Sequence, residues 1–211
     1  GRVDGLNWDL LNDGMGNPKN TRTMFLSHRT SPVMTLGVRA SAEVAVTAGF
    51  VHIQFLEPSG ELAECVNAYL KNMKEVPSPF LVAHTPSKQQ TGGEGCAQCH
   101  APGVGRGALS ESARRGREVF KTAGCVRCHP HPYFTNKELV ATGTATGLDE
   151  GKSVLVPSLV EVWRTAPYLH DGRAKTIREA ITTCNPGDLR GKTSSLNNRE
   201  LEDLINYVQS L

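Results

Sequence analysis

Hydrophobic residues recur at helical spacing in two stretches of the chain. In the first stretch they form an apolar face of Leu62, Cys65, Val66, Tyr69, Leu70 and Met73. In the second stretch they form a face of Leu201, Leu204, Ile205 and Val208. This period of three to four residues is typical of a helix that buries one side. The second helix is preceded by Asn197 and Glu200, which are spaced as a capping box.

Two further helices are indicated by residues that cap a helix N-terminus. Ser110 precedes a short helix that extends to Phe120, and Thr176 with Glu179 forms a second capping box. The capping side chains satisfy backbone N–H groups that have no partner inside the helix. We therefore expect an all-α protein.

An internal repeat with a spacing of 135 residues relates the two halves of the chain. Thr30, Pro32 and Gly37 recur as Thr165, Pro167 and Gly172, and the two amphipathic helices follow at corresponding places. A repeat that includes a helix predicts two related domains.

Two C-x-x-C-H pentads are the motifs in the sequence that indicate a cofactor. The two thiols of such a pentad can each form a thioether with one porphyrin, and the histidine is placed to bind its iron. One pentad alone is also compatible with a zinc site or a redox pair, whereas two identical arrangements favour haem c. The predicted attachment residues and proximal iron ligands are Cys96, Cys99 and His100 for one haem and Cys125, Cys128 and His129 for the other.

The pentads divide the chain into three parts. We predict a cytochrome c-like domain over residues 1–79, a Gly/Pro-rich linker with the Cys96 pentad over 80–109, and a second cytochrome c domain over 110–211. The repeat spacing places the haem motif of the first domain just ahead of Gly1. We therefore expect the chain to be a C-terminal fragment with a third haem attached upstream. The alternative is a first domain that has lost its haem and contributes only packing.

Charge and hydropathy exclude two classes of partner. The chain of 211 residues has a formal charge of +2 and no basic stripe, which argues against nucleic acid. No apolar run approaches the ~18 residues of a membrane span. Since haem c is attached outside the cytoplasm, the sequence predicts a periplasmic or extracellular protein.

The region around the second pentad resembles the bacterial dihaem cytochrome c peroxidases and the related dihaem enzymes that oxidise a partner protein. The resemblance rests on Pro157-Ser158-Leu159 and on the T-A-P-Y-L-H-D-G-R stretch from Thr165 to Arg173. It is specific over residues 110–211 and weaker over the first domain, which is similar to haem domains fused behind β-propellers. It implies a redox protein partner or a larger complex. It also implies calcium held by carbonyls near Thr165 and Pro167, although the sequence has no carboxylate cluster to support this site.

The resemblance also implies roles for two side chains near the second haem. Cys184 stands where the peroxidases have a methionine as sixth iron ligand, and a thiolate there would lower the reduction potential. The alternatives are a buried free thiol or a disulfide with Cys65. His170, within the family motif, is expected to lie at the haem edge and to bond a propionate or the backbone.

Two more histidines are candidate distal ligands. His52 lies three residues past the repeat position equivalent to Cys184 and is the candidate for the upstream haem; the alternative is a strand over Phe50–Phe55. His84 lies twelve residues before Cys96 and is the candidate for the linker haem. The alternative is a solvated linker histidine.

The function that best fits these features is electron transfer by a multihaem cytochrome whose irons are all six-coordinate. The runner-up is a peroxidase that reduces hydrogen peroxide at a haem with an open distal position. No acid–base pair stands out in the sequence, so no catalytic residue is assigned. A third hypothesis is a subunit whose haems mainly hold an assembly together.

Overall fold

The computed structural model describes residues 3–9, 15–82 and 107–211. Its helices are α1 (Ala42–His52), α2 (Gly60–Lys71), α3 (Glu111–Thr122), α4 (Ile177–Ile181) and α5 (Asn198–Gln209). Two antiparallel ribbons are formed by β1 (Asn7–Trp8) with β2 (Lys19–Asn20) and by β3 (Leu139–Val140) with β4 (Val154–Leu155). The described part is rich in helix with few short strands, which agrees with a cytochrome c-like fold. None of its helices is long and apolar enough to cross a membrane.

The predicted helix caps are confirmed. The Ser110 side chain accepts a hydrogen bond from Ala113 N, and the Asn197–Glu200 capping box has both of its bonds. Thr176 accepts from Glu179 N, but the Glu179 carboxylate accepts from Lys175 N, one residue ahead of the cap. These helices therefore begin where side-chain oxygens replace the missing backbone acceptors.

The core forms where α3 crosses α5. An added Cβ at Gly116 would lie 1.8 Å from the Asp203 carbonyl oxygen, so the two backbones meet at the closest distance that a glycine permits. Arg115 binds the Asp203 carboxylate through two hydrogen bonds of 2.7 and 2.8 Å, and Ser112 donates a third. The crossing buries a cluster that includes Ala113, Phe120, Leu204, Tyr207 and Val208.

The repeat is visible in the backbone. Ser27–Arg29 and Val162–Arg164 are both 3-10 helices, and the helices α1 and α4 begin at equivalent positions. Met34 and Leu169 both adopt left-handed backbone conformations, with φ of 76° and 73°. The two copies of the repeat, within residues 1–79 and 110–211, thus share a turn conformation as well as a sequence pattern.

The two copies exchange equivalent hydrogen bonds. Asn20 N, in the ribbon of the first copy, donates to His170 O in the turn of the second at 2.6 Å. Leu155 N, in the ribbon of the second copy, donates to Thr35 O in the turn of the first at 2.8 Å. Both donors and both acceptors are 135 residues apart. The contact between the copies is therefore reciprocal, as in a two-fold interface.

The first copy departs from the sequence-based expectations in two places. The strand considered for Phe50–Phe55 is wrong, because α1 runs to His52; a short apolar run cannot by itself distinguish a strand from a helix. The helix α2 is confirmed, but its apolar face is largely open, with Tyr69 64% exposed and Leu70 buried. Among the described residues, α2 packs against α1 and has no counterpart of α3.

We expect Gly116→Ala to lower the free energy of unfolding by about 3 kcal/mol, because the new methyl group must separate two packed backbones. Chemical denaturation followed by far-UV circular dichroism measures this change. Gly60→Ala is the matched control, since Gly60 is also helical but an added Cβ there has no neighbour within 4 Å. Equal stability of the two variants would contradict the close crossing.

Candidate haem site

The second pentad follows directly on α3. Gly124 takes a left-handed conformation with φ of 83°, which a glycine adopts without strain, and the chain then enters a 3-10 helix over Cys125–Arg127. His129 N donates to Cys125 O at 2.9 Å and closes this turn. The turn therefore brings the two thiols and the imidazole together at the end of a rigid helix.

His129 is held in the orientation expected of a proximal ligand. Its Nδ1 lies 2.8 Å from the Phe134 carbonyl oxygen, which can only accept, so Nδ1 carries the proton and Nε2 is the nitrogen with the lone pair for a metal. The ring packs beside Phe120, with centroids 6.5 Å apart. Burial lowers the pKa of His129 to about 4, despite the backbone hydrogen bonds of Phe134 and Pro157, so the imidazole is neutral at pH 7. Neutral imidazole is the form that binds a metal.

The two thiols of the pentad are free and half-buried. Burial raises the pKa of Cys125 to about 11, so this thiol stays protonated in its apolar surroundings. Gly191 approaches it closely, since an added Cβ there would lie 3.1 Å from Cys125 Sγ. Two unpaired thiols and a neutral imidazole in one turn are the donor set that haem c requires. The residues present therefore fit the predicted group.

Cys184 lies just beyond α4, where its N–H donates to Glu179 O at 2.9 Å. Its thiol is half-buried and free. Cys65 is also free and exposed, on the open side of α2, so the alternative of a Cys65–Cys184 disulfide is wrong. A ligand role and a free structural thiol both remain compatible with this position.

Arg190 belongs to the site, although no motif in the sequence pointed to it. Its Nη2 donates to the carbonyl oxygens of Ala180 and Cys184, the latter at 2.5 Å. Burial lowers the pKa of Arg190 to about 10, opposed by the Cys184 thiol. The Arg190 charge also contributes to the low pKa of His129. Arg190 thus interacts electrostatically with both candidate iron ligands.

His170 lies at the contact with the N-terminal ribbon. Its Nε2 accepts weakly from Thr146 N at 3.4 Å, and its buried Nδ1 has no hydrogen-bond partner in the described part of the chain. Burial lowers the pKa of His170, opposed by the nearby Asp171 carboxylate. The backbone is thus one partner of this imidazole, and the propionate bond stays a prediction.

A mostly apolar cavity of about 530 Å³ lies in the first copy, and Leu155 and Ser158 of the second copy also line it. His52 and Met34 line it, the former at the end of α1. The cavity also contains Arg22, whose Nη1 donates to Met34 O at 3.0 Å and to Leu155 O at 3.4 Å. Burial lowers the pKa of Arg22 to about 10. The sequence pointed to His52 but not to the cavity or to Arg22.

Backbone carbonyls converge where the ribbon of the first copy meets the turn of the second. The Asn20 Nδ2 donates to Pro167 O at 2.5 Å and to Leu169 O at 3.3 Å, while its buried Oδ1 has no partner in residues 3–9, 15–82 and 107–211. Those residues contain no cluster of three or more His, Cys, Asp or Glu side chains that could hold a metal ion. Any cation here would therefore rely on carbonyl oxygens.

The other predicted site residues, Cys96, Cys99, His100 and His84, lie outside the described residues. The linker haem and its distal ligand thus stay predictions.

No protein-family model matches the chain. It is 24% identical over 266 aligned positions to hydrazine synthase subunit gamma of Kuenenia stuttgartiensis, covering 100% of this chain and 69% of that protein. It is 27% identical to cytochrome c551 peroxidase of Nitrosomonas europaea over 50% of this chain and 36% of that protein. It is 32% identical to the methylamine utilization protein MauG of Methylophilus methylotrophus over 49% of this chain and 38% of that protein. The match thus spans little more than a third of the last two relatives.

The fold agrees with a solved structure of Kuenenia stuttgartiensis hydrazine synthase, with a TM-score of 0.77 and 22% identity over 100% of this chain and 78% of the other. The three sequence relatives are members of the bacterial dihaem cytochrome c peroxidase family and support haem c as the cofactor. They also support the predicted class of haem-dependent redox function. By its sequence matches, this chain is similar to hydrazine synthase subunit gamma, to a cytochrome c551 peroxidase and to MauG.

Proposed function

We propose that this chain is a multihaem c-type cytochrome that transfers electrons outside the cytoplasm. The observation that carries the proposal is the turn at Cys125–His129, where two free thiols stand beside an imidazole whose Nδ1 is fixed by Phe134 O. A haem bound there supplies one-electron chemistry, while the protein supplies its attachment, ligands and surroundings.

Each residue of the turn has a separate task in this proposal. Cys125 and Cys128 attach the porphyrin, and His129 binds the iron through Nε2. Phe120, with its ring edge against Tyr207 at 5.3 Å between centroids, provides an apolar wall close to His129. Cys184 is the proposed sixth ligand, and its support is Arg190, which interacts electrostatically with both Cys184 and His129.

The Cys96 pentad is proposed to hold a second haem in the linker over residues 80–109, with His84 as its candidate distal ligand. The proposed domains on either side span residues 1–79 and 110–211. A haem between them would shorten the distance for an electron that passes from one domain to the other.

The cavity in the first copy is proposed to hold a third haem whose attachment motif lies ahead of Gly1. Three features support this use. The cavity is mostly apolar, His52 lines it as a candidate ligand, and Arg22 offers a buried positive charge that suits a propionate. Its volume of about 530 Å³ lies within the usual range for cofactor pockets, about 300–1,000 Å³.

The second candidate function is a peroxidase-type reaction at the first-copy cavity. The name of the Nitrosomonas relative favours it, and the reaction would take place beside His52 and Met34, which line that cavity. The partner of this chain is a separate proposal. Hydrazine synthase subunit gamma is by its name one subunit of a larger enzyme. We propose by analogy that this chain has a redox protein or a larger complex as its partner.

A calcium ion between the copies is proposed as a structural cofactor. Calcium binds backbone and asparagine carbonyls, and the oxygens of Pro167 and Leu169 already converge on the Asn20 amide. Rotation of this amide would point the partnerless Oδ1 toward the same place.

We expect Cys125→Ala/Cys128→Ala to lose one covalently bound haem. Intact-protein mass and haem staining after denaturing electrophoresis measure this loss. Cys184→Ala is the control, because it removes a nearby thiol that lies outside both pentads. A double variant with an unchanged haem count would exclude attachment at this turn.

We expect the fully oxidised protein to give only low-spin ferric signals by low-temperature electron paramagnetic resonance, unchanged by cyanide, because every iron has two protein ligands. His52→Ala should alter one signal and leave the others in place. A high-spin signal that cyanide converts would instead show an open coordination position and favour the peroxidase.

We expect Asn20→Leu to abolish the rise in melting temperature that calcium causes after treatment with a chelator. Asn72→Leu is the control, since the Asn72 side chain donates to Ala68 O within the first copy and makes no other hydrogen bond in the described part of the chain. With no carboxylate ligand, a dissociation constant of about 10⁻⁴–10⁻³ M is expected by calorimetry. A wild-type melting temperature that calcium does not change would contradict the site.

A further inference from the structure

The loop over residues 184–193 connects the candidate sixth ligand to the pentad. Asn185 closes the loop, because its Nδ2 donates to Gly191 O and to Thr193 Oγ1, both at 2.9 Å. Lys192 N donates to Ala123 O at 2.8 Å, two residues before Cys125. The loop is therefore anchored at the start of the pentad on one side and at Cys184 on the other.

Arg190 extends from this loop back to the end of α4. Its backbone N–H donates to Asn185 Oδ1 at 3.0 Å, which fixes the start of the side chain. Its guanidinium binds Ala180 O and Cys184 O, and its Nε is buried without a partner among the described residues. In that part of the chain no carboxylate forms an ion pair with it.

One acceptor of Arg190, the Ala180 carbonyl, is among those that the end of α4 leaves without an intrahelical donor, whereas the Cys184 carbonyl lies in the segment that follows the helix. The last carbonyls of a helix have no intrahelical donor, and a cation there is favourable. The helix α4 has only five residues, so its own backbone bonds give little rigidity. A guanidinium that binds the carbonyls of Ala180 and Cys184 supplies the missing donors and fixes the path of the chain between them.

We propose that Arg190 is a positioning residue that holds the backbone of Cys184 so that its thiol faces the iron bound by His129. The inference rests on the proposed function, in which Cys184 is the sixth ligand. Arg190 does not touch the iron in this arrangement. It acts through the carbonyl of the ligand residue itself.

A charge effect and a positioning effect of Arg190 predict opposite shifts in reduction potential. If Arg190 only provided a positive charge near the haem, its removal would lower the potential and leave the ligands unchanged. If Arg190 positions Cys184, its removal detaches the thiolate, and the potential rises because a thiolate favours ferric iron.

The test compares Arg190→Met, Arg190→Lys and Cys184→Ala in the haem-loaded protein. We expect Arg190→Met to lose the low-spin signal typical of thiolate ligation and to raise the potential of that haem in a spectroelectrochemical titration. Arg190→Lys, which keeps the charge but offers a single donor position, should retain only part of the signal. If Arg190→Met does not yield folded protein, the thiolate signal and the potential are measured on Arg190→Lys instead. The control is Arg178→Met, because Arg178 lies on α4 and pairs with Glu202 at the surface.

Three outcomes would overturn the role of Arg190, and only the last of them would also overturn the proposed ligation by Cys184. If Cys184→Ala removes the thiolate signal while Arg190→Met and Arg190→Lys keep it, the ligand is correct and the role of Arg190 is overturned. A lower potential with the signal retained overturns it too. If the wild-type protein lacks the thiolate signal and Cys184→Ala changes nothing, ligation by Cys184 fails, and the role of Arg190 fails with it.

Discussion

The close crossing of α3 and α5 at Gly116 is the constraint on which the second copy depends. It brings the Asp203 carbonyl against α3 and lets Phe120, Leu204 and Tyr207 form one cluster. Because the pentad begins directly after α3, the crossing also determines where the two thiols and His129 lie. The end of α5 takes part as well, since Glu161 N donates to Leu211 O at 2.9 Å and fixes the segment ahead of the T-A-P-Y stretch. The packing of α3 against α5 thus determines the position of the candidate haem ligands.

The features that the sequence predicted are those with a local cause. Ser110, Thr176 and Asn197 mark helix starts because a cap bonds the backbone within three residues. The pentad is recognisable because its turn needs only five consecutive residues. Arg22 and the first-copy cavity depend instead on segments far apart in the sequence. Arg190 binds carbonyls only six and ten residues away, but no local pattern marks it, since an arginine in a loop is usually solvated. The helix α2 shows both cases. Its apolar spacing is local and predicted the helix, but the spacing could not show that much of its apolar face is open.

Arg22 and Arg190 share an unusual environment. Both are arginines whose guanidinium groups donate to main-chain carbonyls, and burial lowers the pKa of each to about 10. A buried cation bound only by neutral oxygens keeps most of its field. Each proposed haem site next to one of these arginines would therefore contain a fixed positive charge, which favours the electron-rich state of a nearby redox group. At the second site, the Cys184 thiolate would oppose this effect.

The reciprocal bonds from Asn20 to His170 and from Leu155 to Thr35 make one chain resemble a dimer of its own halves. In a two-fold interface, sliding of one half along the other displaces both equivalent bonds by the same amount. A sliding motion between the copies would therefore have to break both bonds at once. A distance between two redox centres that depends on this interface would be equally invariant, and an electron crossing it would encounter a fixed gap.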